Sequence, residues 1–225
     1  MIEKLKINIK SFIYDFIYIP IYFNIVYFRD LHKIKKQYGN FERLNKLDKK
    51  KYTFLYYGKV KNVSGLLLAE IVKTISDLNF LPKRVLLDGD NKLITNQFKE
   101  KFNFNSTEVL TVGIGNDFDF NWNFENNPPE NLPNDFDIII SQAMFEHLID
   151  PYKHLVDLTG RLRYGGVIII HTVMPGYAYH RYPIDTLRFF PDWFETSANR
   201  LKLSIIRKFQ RDFHICYILK KERPY

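Results

Sequence analysis

Phe136, Ile138, Ile139 and Ile140 make a short, nearly continuous apolar run, the pattern of a strand covered on both faces. The run breaks off into polar Gln142, Glu146 and His147, and Asp150-Pro151 then offers an N-cap residue followed by proline at the first helical position. Ser141–Ile149 therefore reads as a long connection at the carboxyl end of a buried strand, the edge where open α/β sheets bind ligands. Upstream, Leu67, Leu68, Ile71, Val72 and Ile75 fall on one helical stripe within Ser64–Leu78. Val85–Asp88 reads as a buried strand, residues 91–102 have helical period, residues 106–114 read as a strand, and residues 117–124 offer a second short one. Pro151–Leu162 reads as a helix with Leu155, Val156 and Leu158 inward, and residues 163–173 as a turn leading into another buried strand. Residues 201–209 and 214–220 are strand-like runs hinged at Arg211-Asp212, consistent with an antiparallel closing pair. This order predicts an α/β fold with a mainly parallel sheet. Only about twenty residues separate the second strand from Phe136, so the crossover helix there is expected to be shortened or absent.

The chain divides into a basic, aromatic cap segment at residues 1–61 and an α/β domain at residues 62–225. Within the first, Phe16–Phe28 is short for a membrane span and contains Pro20, so it reads as a helical cap over the core or as a segment lying in a membrane interface. A hydrophobic content of 46% and an aromatic content of 16% suffice for a packed core and exclude a disordered chain. The formal net charge of +8 points to an acidic partner: a phosphorylated or nucleotide-linked substrate, a nucleic acid, or an anionic membrane. A general surplus of lysine gives the same number. Cys216, the single cysteine, excludes an internal disulfide, fits a reducing cytoplasm, and sits in an alternating apolar run as a core residue would. The expected location is thus cytoplasmic, with peripheral contact at the inner membrane surface as a variant. No Cys/His cluster at ligand spacing suggests a metal site, and the Gly113–Gly115 pair lacks the third glycine and helix of a dinucleotide fingerprint.

Phe136–Pro175, with its apolar strand, Glu146-His147 pair, Asp-Pro helix start and Gly-Gly turn before the next strand, resembles the second half of class I S-adenosylmethionine-dependent methyltransferases. Tyr179–Phe194, "YHRYPIDTLRFFPDWF", is similar to the His, Pro, Asp, Arg-Phe, Pro pattern of methyltransferases encoded among surface-polysaccharide (capsule) genes. The resemblance runs from about Arg84 to the C-terminus. It implies a Rossmann-like sheet with an antiparallel C-terminal strand pair and S-adenosyl-L-methionine as cofactor. It further implies O-methylation of a sugar or phosphate-bearing small acceptor in surface-glycan biosynthesis. The cofactor would be held by Asp88, Gly89 and Asp90, by Asp117 at the ribose hydroxyls, by Asp119 and Phe120 at the adenine, and by Gln142, Ala143 and Met144. The first loop departs from the family pattern, because Asn91 stands where a second glycine is expected. A relative retained only as a binding or scaffold subunit is the competing reading.

Methyl transfer from a sulfonium is an in-line displacement, so the protein must mainly hold two reactants end to end, and a neutral hydroxyl acceptor needs a base nearby. His147, His171 and His180 fall in or just after strand-end loops. His180 lies close to Asp185 and Arg188, which makes it the expected base, with Asp185 as orienting carboxylate and Arg188 holding an acceptor phosphate or the loop itself. His147 is the next candidate, and His171, inside an apolar strand, reads as a packing residue. The bland alternative for the motif is that Asp185 caps a short turn and pairs with Arg188. A nucleic-acid methyltransferase is a further alternative, but the lysines are spread and no nucleic-acid-binding module stands out.

Overall fold

Seven strands share one sheet, and their order explains where the chain can bind a ligand. The computed structural model describes residues 71–223 apart from 72, 79, 91, 93, 94, 103, 104, 182 and 212, together with Ile21, Ile25, Arg29 and His32. Those four positions aside, the expected cap at residues 1–61, with its Phe16–Phe28 stretch, lies outside the described residues, as does the first half of the helix expected over Ser64–Leu78. Among the described residues no helix is long and apolar enough to cross a membrane.

The strands are β1 (Arg84–Asp88), β2 (Glu108–Gly113), β3 (Phe120–Asn121), β4 (Phe136–Gln142), β5 (Leu162–Val173), β6 (Leu203–Arg211) and β7 (His214–Lys221). Residues 73–77 are helical, and the helices with both ends described are α1 (Thr95–Phe102), α2 (Pro151–Arg161) and α3 (Pro191–Arg200). The sheet order is β3-β2-β1-β4-β5-β7-β6, parallel from β3 through β5, with β7 antiparallel to both β5 and β6. The chain runs outward from β1 to β3 and then returns to lay β4 on the other side of β1. That reversal creates a topological switch point at the carboxyl ends of β1 and β4.

Ile138, Ile139 and Ile140 are each fully buried because both faces of β4 are covered. Alternate residues feed two cores: Ile138 and Ile140 join Val85, Leu87 and Cys216 on one face, while Ile139 joins Leu86, Ile168 and Tyr217 on the other. Each such side chain contributes about 1.5–3 kcal/mol by leaving water. The Asp150 carboxylate accepts from the Lys153 amide at 2.9 Å, with Pro151 opening α2, as the sequence predicts. No residue from Trp122 to Asp135 is helical. Trp122, Phe124 and Leu132 are buried there instead, filling the space a crossover helix would cover. The expected turn at Gly165-Gly166 lies within β5, whose register against β4 shifts between Phe136 and Ile138.

Candidate functional site

A cleft of about 630 Å³, within the range of small-molecule and cofactor sites, opens at the switch point. Its walls come from the ends of three parallel strands: Gly89 after β1, Gly113 to Phe118 around the end of β2, and Gln142, Ala143 and Met144 around the end of β4. His147, Leu148, Pro183 and Ile184 close its other end. Gly89 has φ +85°, and a Cβ there would fall 2.5 Å from Met144 Cγ, so only glycine lets the backbone pass. Ala143 also takes a left-handed φ, +49°, with its amide bonded to the His171 carbonyl at 2.8 Å. A non-glycine residue held in that region stores strain of the kind found at ligand-binding turns.

Four of the expected cofactor contacts line this cleft at strand ends and the turns after them: Gly89, Gln142, Ala143 and Met144. Asp117 lines it too, with its side chain exposed. Four others, Asp88, Asp90, Asp119 and Phe120, do not, for physical reasons. Asp88 is fully buried, and its carboxylate accepts from His154 Nε2 at 3.0 and 3.2 Å, beneath the cleft floor. The Asp119 carboxylate accepts from the Thr111 amide and hydroxyl, both at 2.9 Å, which ties the loop back onto β2. Phe120 belongs to β3 and packs against the core. The ring that faces the cleft is Phe118, laid where a Gly113 Cβ would be, 2.3 Å from its Cε1. Glycine at position 113 was the available signal, because it frees a ring-sized space at the strand end. Asp90 sits behind this wall with Oδ2 buried and lacking a hydrogen-bond partner among the described residues. Burial, then the neighbouring Asp88 charge, pushes its carboxyl up to about 6, while Gln142 pulls the other way.

At the far end of the cleft the 3-10 turn Phe145–His147 and the loop before α3 bring three groups together. One carboxylate oxygen of Glu146 and one nitrogen each of His147 and His180 lie within 4.8 Å of one another. Glu146 is fully buried; its Oε2 accepts from the Thr172 hydroxyl at 2.5 Å, and Oε1 has no hydrogen bond among the described residues. His180 Nε2 stands 3.6 Å from that Oε1, an ion-pair distance rather than a hydrogen bond. His180 Nδ1 faces the Ala178 carbonyl at 3.3 Å and Asp185 Oδ2 at 3.5 Å. Burial pulls the His180 pKa down, but Glu146 and Asp185 outweigh it and hold it above the ordinary value. The Glu146 carboxyl is pushed up by burial, yet His180 and Thr172 more than offset this and keep it below the usual range. Both nitrogens of His180 therefore face acceptors, and His180 does not line the cleft, while His147 does, with Nδ1 donating to the Ile184 carbonyl. The expected base, His180, thus stands next to the cleft wall, with Asp185 beside its Nδ1 as expected. Glu146 was legible only as half of a Glu-His pair.

Arg188 is likewise committed. Its guanidinium grips both Asp185 oxygens, at 2.5 and 2.7 Å, and donates to the carbonyls of Tyr177, Ala178 and Leu187. Asp185, 1% exposed, accepts also from the His180 amide at 2.7 Å. The carboxylate thus clasps the loop backward to His180, and residues 184–190 form no helical turn. Arg188 has no donor left for an acceptor phosphate, and the charged cleft-lining residues are Asp117 and Glu125 rather than lysine or arginine. His171 is a packing residue as expected: it is buried, bonded to His214 Nδ1 at 2.9 Å, and pushed down to about 4 by burial and by His214.

No family model matches the chain, and no curated protein does. Solved structures do match its fold. The chain is similar to the CurJ carbon methyltransferase at a TM-score of 0.54 and 13% identity, over 77% of this chain and 58% of that one. A SAM-dependent methyltransferase from Archaeoglobus fulgidus matches at 0.52 and 15%, over 70% and 94% of the two chains. One from Aquifex aeolicus matches at 0.51 and 14%, over 77% and 98%. The chain thus spans little more than half of the first protein and nearly all of the other two. The fold is the Rossmann-like sheet of class I methyltransferases, mostly parallel with an antiparallel C-terminal pair.

Proposed function

We propose that the protein is an S-adenosylmethionine-dependent methyltransferase acting on a hydroxyl-bearing small molecule. The observation that carries this is the cleft at the switch point, walled by the Gly89 turn, the Gly113–Phe118 loop and the left-handed turn at Ala143. The residues present fit the cofactor. Gly89 and Gly113 make room for Met144 and Phe118 against the strand ends, Phe118 offers a flat apolar face to a base, and Asp117 offers a carboxylate to ribose hydroxyls. Asp90, half-buried with Oδ2 lacking a hydrogen bond among the described residues, suits a cationic group. When bound, the cofactor supplies an electrophilic methyl group on a sulfonium sulfur, which leaves as a thioether.

The chain's own contribution is to hold the two reactants in line and exclude water, with Gln142–Met144 as the wall between them. The acceptor enters beside His147, Pro183 and Ile184, and its hydroxyl proton leaves toward the Glu146–His147–His180 cluster. The similarity of Tyr179–Phe194 to glycan-gene methyltransferases supports a sugar as the acceptor class. Calorimetric titration with S-adenosylhomocysteine tests the reading, followed by transfer of labelled methyl into nucleotide-sugar and glycan pools. Micromolar binding and label in a sugar fraction are expected. Absence of binding at millimolar ligand would favour a scaffold role instead.

A further inference from the structure

The cluster at the end of the cleft holds a carboxylate oxygen that none of the described residues hydrogen-bonds. Glu146 carries a buried carboxylate whose Oε1 has no hydrogen bond among the described residues, and beside it lie His147 and His180. The Nδ1 atoms of both histidines point at backbone carbonyls, Ile184 for His147 and Ala178 for His180. A carbonyl can only accept, so each Nδ1 carries the hydrogen and each Nε2 keeps its lone pair when the ring is neutral. His180 Nε2 then faces Glu146 Oε1 at 3.6 Å, lone pair against carboxylate. Either a proton on Nε2 or a cation between the two groups settles that contact, and 3.6 Å leaves more room than a hydrogen bond uses. Histidine whose other nitrogen donates to a backbone carbonyl is also the usual outer arrangement of metal-ligating imidazole, and Thr172 supplies the matching hydrogen bond to the carboxylate, at 2.5 Å.

We propose that Glu146, His147 and His180 bind a divalent transition-metal cation of the zinc or manganese type, with its open position toward the cleft. Two imidazoles and one carboxylate suit these ions better than magnesium, which prefers an all-oxygen shell. The ligand atoms stand somewhat wider than a loaded site requires, within 4.8 Å of one another, so small side-chain shifts close the shell. The ligand for the open position is an oxygen of the acceptor, a sugar hydroxyl or a phosphate oxygen. This rests on the methyltransferase reading for the identity of that ligand only. It also gives an anionic acceptor a counter-charge that Arg188, gripped by Asp185, does not supply.

The test uses metal-stripped full-length protein titrated with Zn²⁺ and Mn²⁺, and with Co²⁺ as a visible spectroscopic probe. Wild type is expected to bind one equivalent at micromolar or better affinity, with Co²⁺ ligand-field bands. Glu146→Gln and His180→Ala should each abolish those bands. Thr172→Val should weaken binding by roughly 10–100-fold, the cost of losing an outer-shell partner. Titration of each variant with S-adenosylhomocysteine checks that it is folded, since the adenosyl side of the cleft is untouched. Failure of wild type to bind at 100-fold molar excess, or equal binding by Glu146→Gln, would overturn the proposal and leave a protonated His180 paired with Glu146. Cation binding without S-adenosylhomocysteine binding would instead sink the methyltransferase reading and leave the metal site standing.

Discussion

Asp88 and His154 lie 66 residues apart in sequence, are both fully buried, and meet with His154 Nε2 at 3.0 Å from Oδ2 and 3.2 Å from Oδ1. The imidazole is walled by Trp122, Phe124 and Phe145, with ring centroids 4.6–5.6 Å away. The pair fastens the end of β1, and hence the Gly89 turn, to α2. His154→Phe keeps the ring volume but strands the carboxylate, and should cost about 3–5 kcal/mol of stability in denaturant unfolding. Asp88→Asn, which retains an acceptor for Nε2, should cost clearly less. Equal losses would mean that the ring packing, not the pairing, matters.

Phe118 and Phe120 are expected to part company under mutation. Phe118 faces the cleft and Phe120 faces the core. Phe118→Ala should weaken S-adenosylhomocysteine binding about 10–100-fold, the worth of one base stacked on a ring, with little change in Tm. Phe120→Ala should lower stability by about 2 kcal/mol while leaving affinity nearly unchanged. Calorimetry and thermal melting on both variants check this.

Asp90 makes stability depend on pH in the direction opposite to a salt-bridged carboxylate. Its folded pKa of about 6 lies above the ordinary 3.8, so the folded protein holds the proton more tightly. The contribution is complete below about 3.8 and is lost as pH rises through about 6. Asp90→Asn should therefore raise Tm relative to wild type at pH 7.5 and lose that advantage at pH 4.5. S-adenosylmethionine, being cationic, should bind the variant about tenfold more weakly at pH 7.5.

Arg188 should behave as a clasp for the loop before α3. Arg188→Lys keeps the charge but loses the two-pronged grip on Asp185, so it should not rescue the loss seen in Arg188→Ala, about 2–4 kcal/mol. Asp185→Asn and Arg188→Ala together should cost far less than the sum of the two singles. Limited proteolysis between Tyr177 and Arg188 should quicken in each. Unchanged proteolysis with weakened acceptor binding would restore Arg188 to the acceptor.

The sequence by itself determined the elements. The isoleucine run of β4, the Asp150-Pro151 start of α2 and the paired apolar runs of β6 and β7 each satisfy a local rule, because period and capping act over a few residues. The shortage of chain before Phe136 likewise announced the missing crossover helix. It also determined which stretches carry chemistry, since Gly89, Gln142–Met144 and His147 line the cleft where strand ends were expected to meet a ligand. Tertiary structure decided which side chains within those stretches face it. Asp88 turns down to His154, Asp119 turns back to Thr111, and Phe118, lodged against Gly113, is the ring that faces the cleft where Phe120 was expected to meet the adenine. Loop residues have no fixed period, so their facing is set by partners that lie far away in the chain. The same is true of Glu146. Adjacency marked it as half of a pair with His147, but only the return of the loop over the sheet edge brings His180 to its unpartnered oxygen. Whether a carboxylate is solvated, paired or left wanting a cation depends on burial and on long-range neighbours, and neither is written in the local pattern.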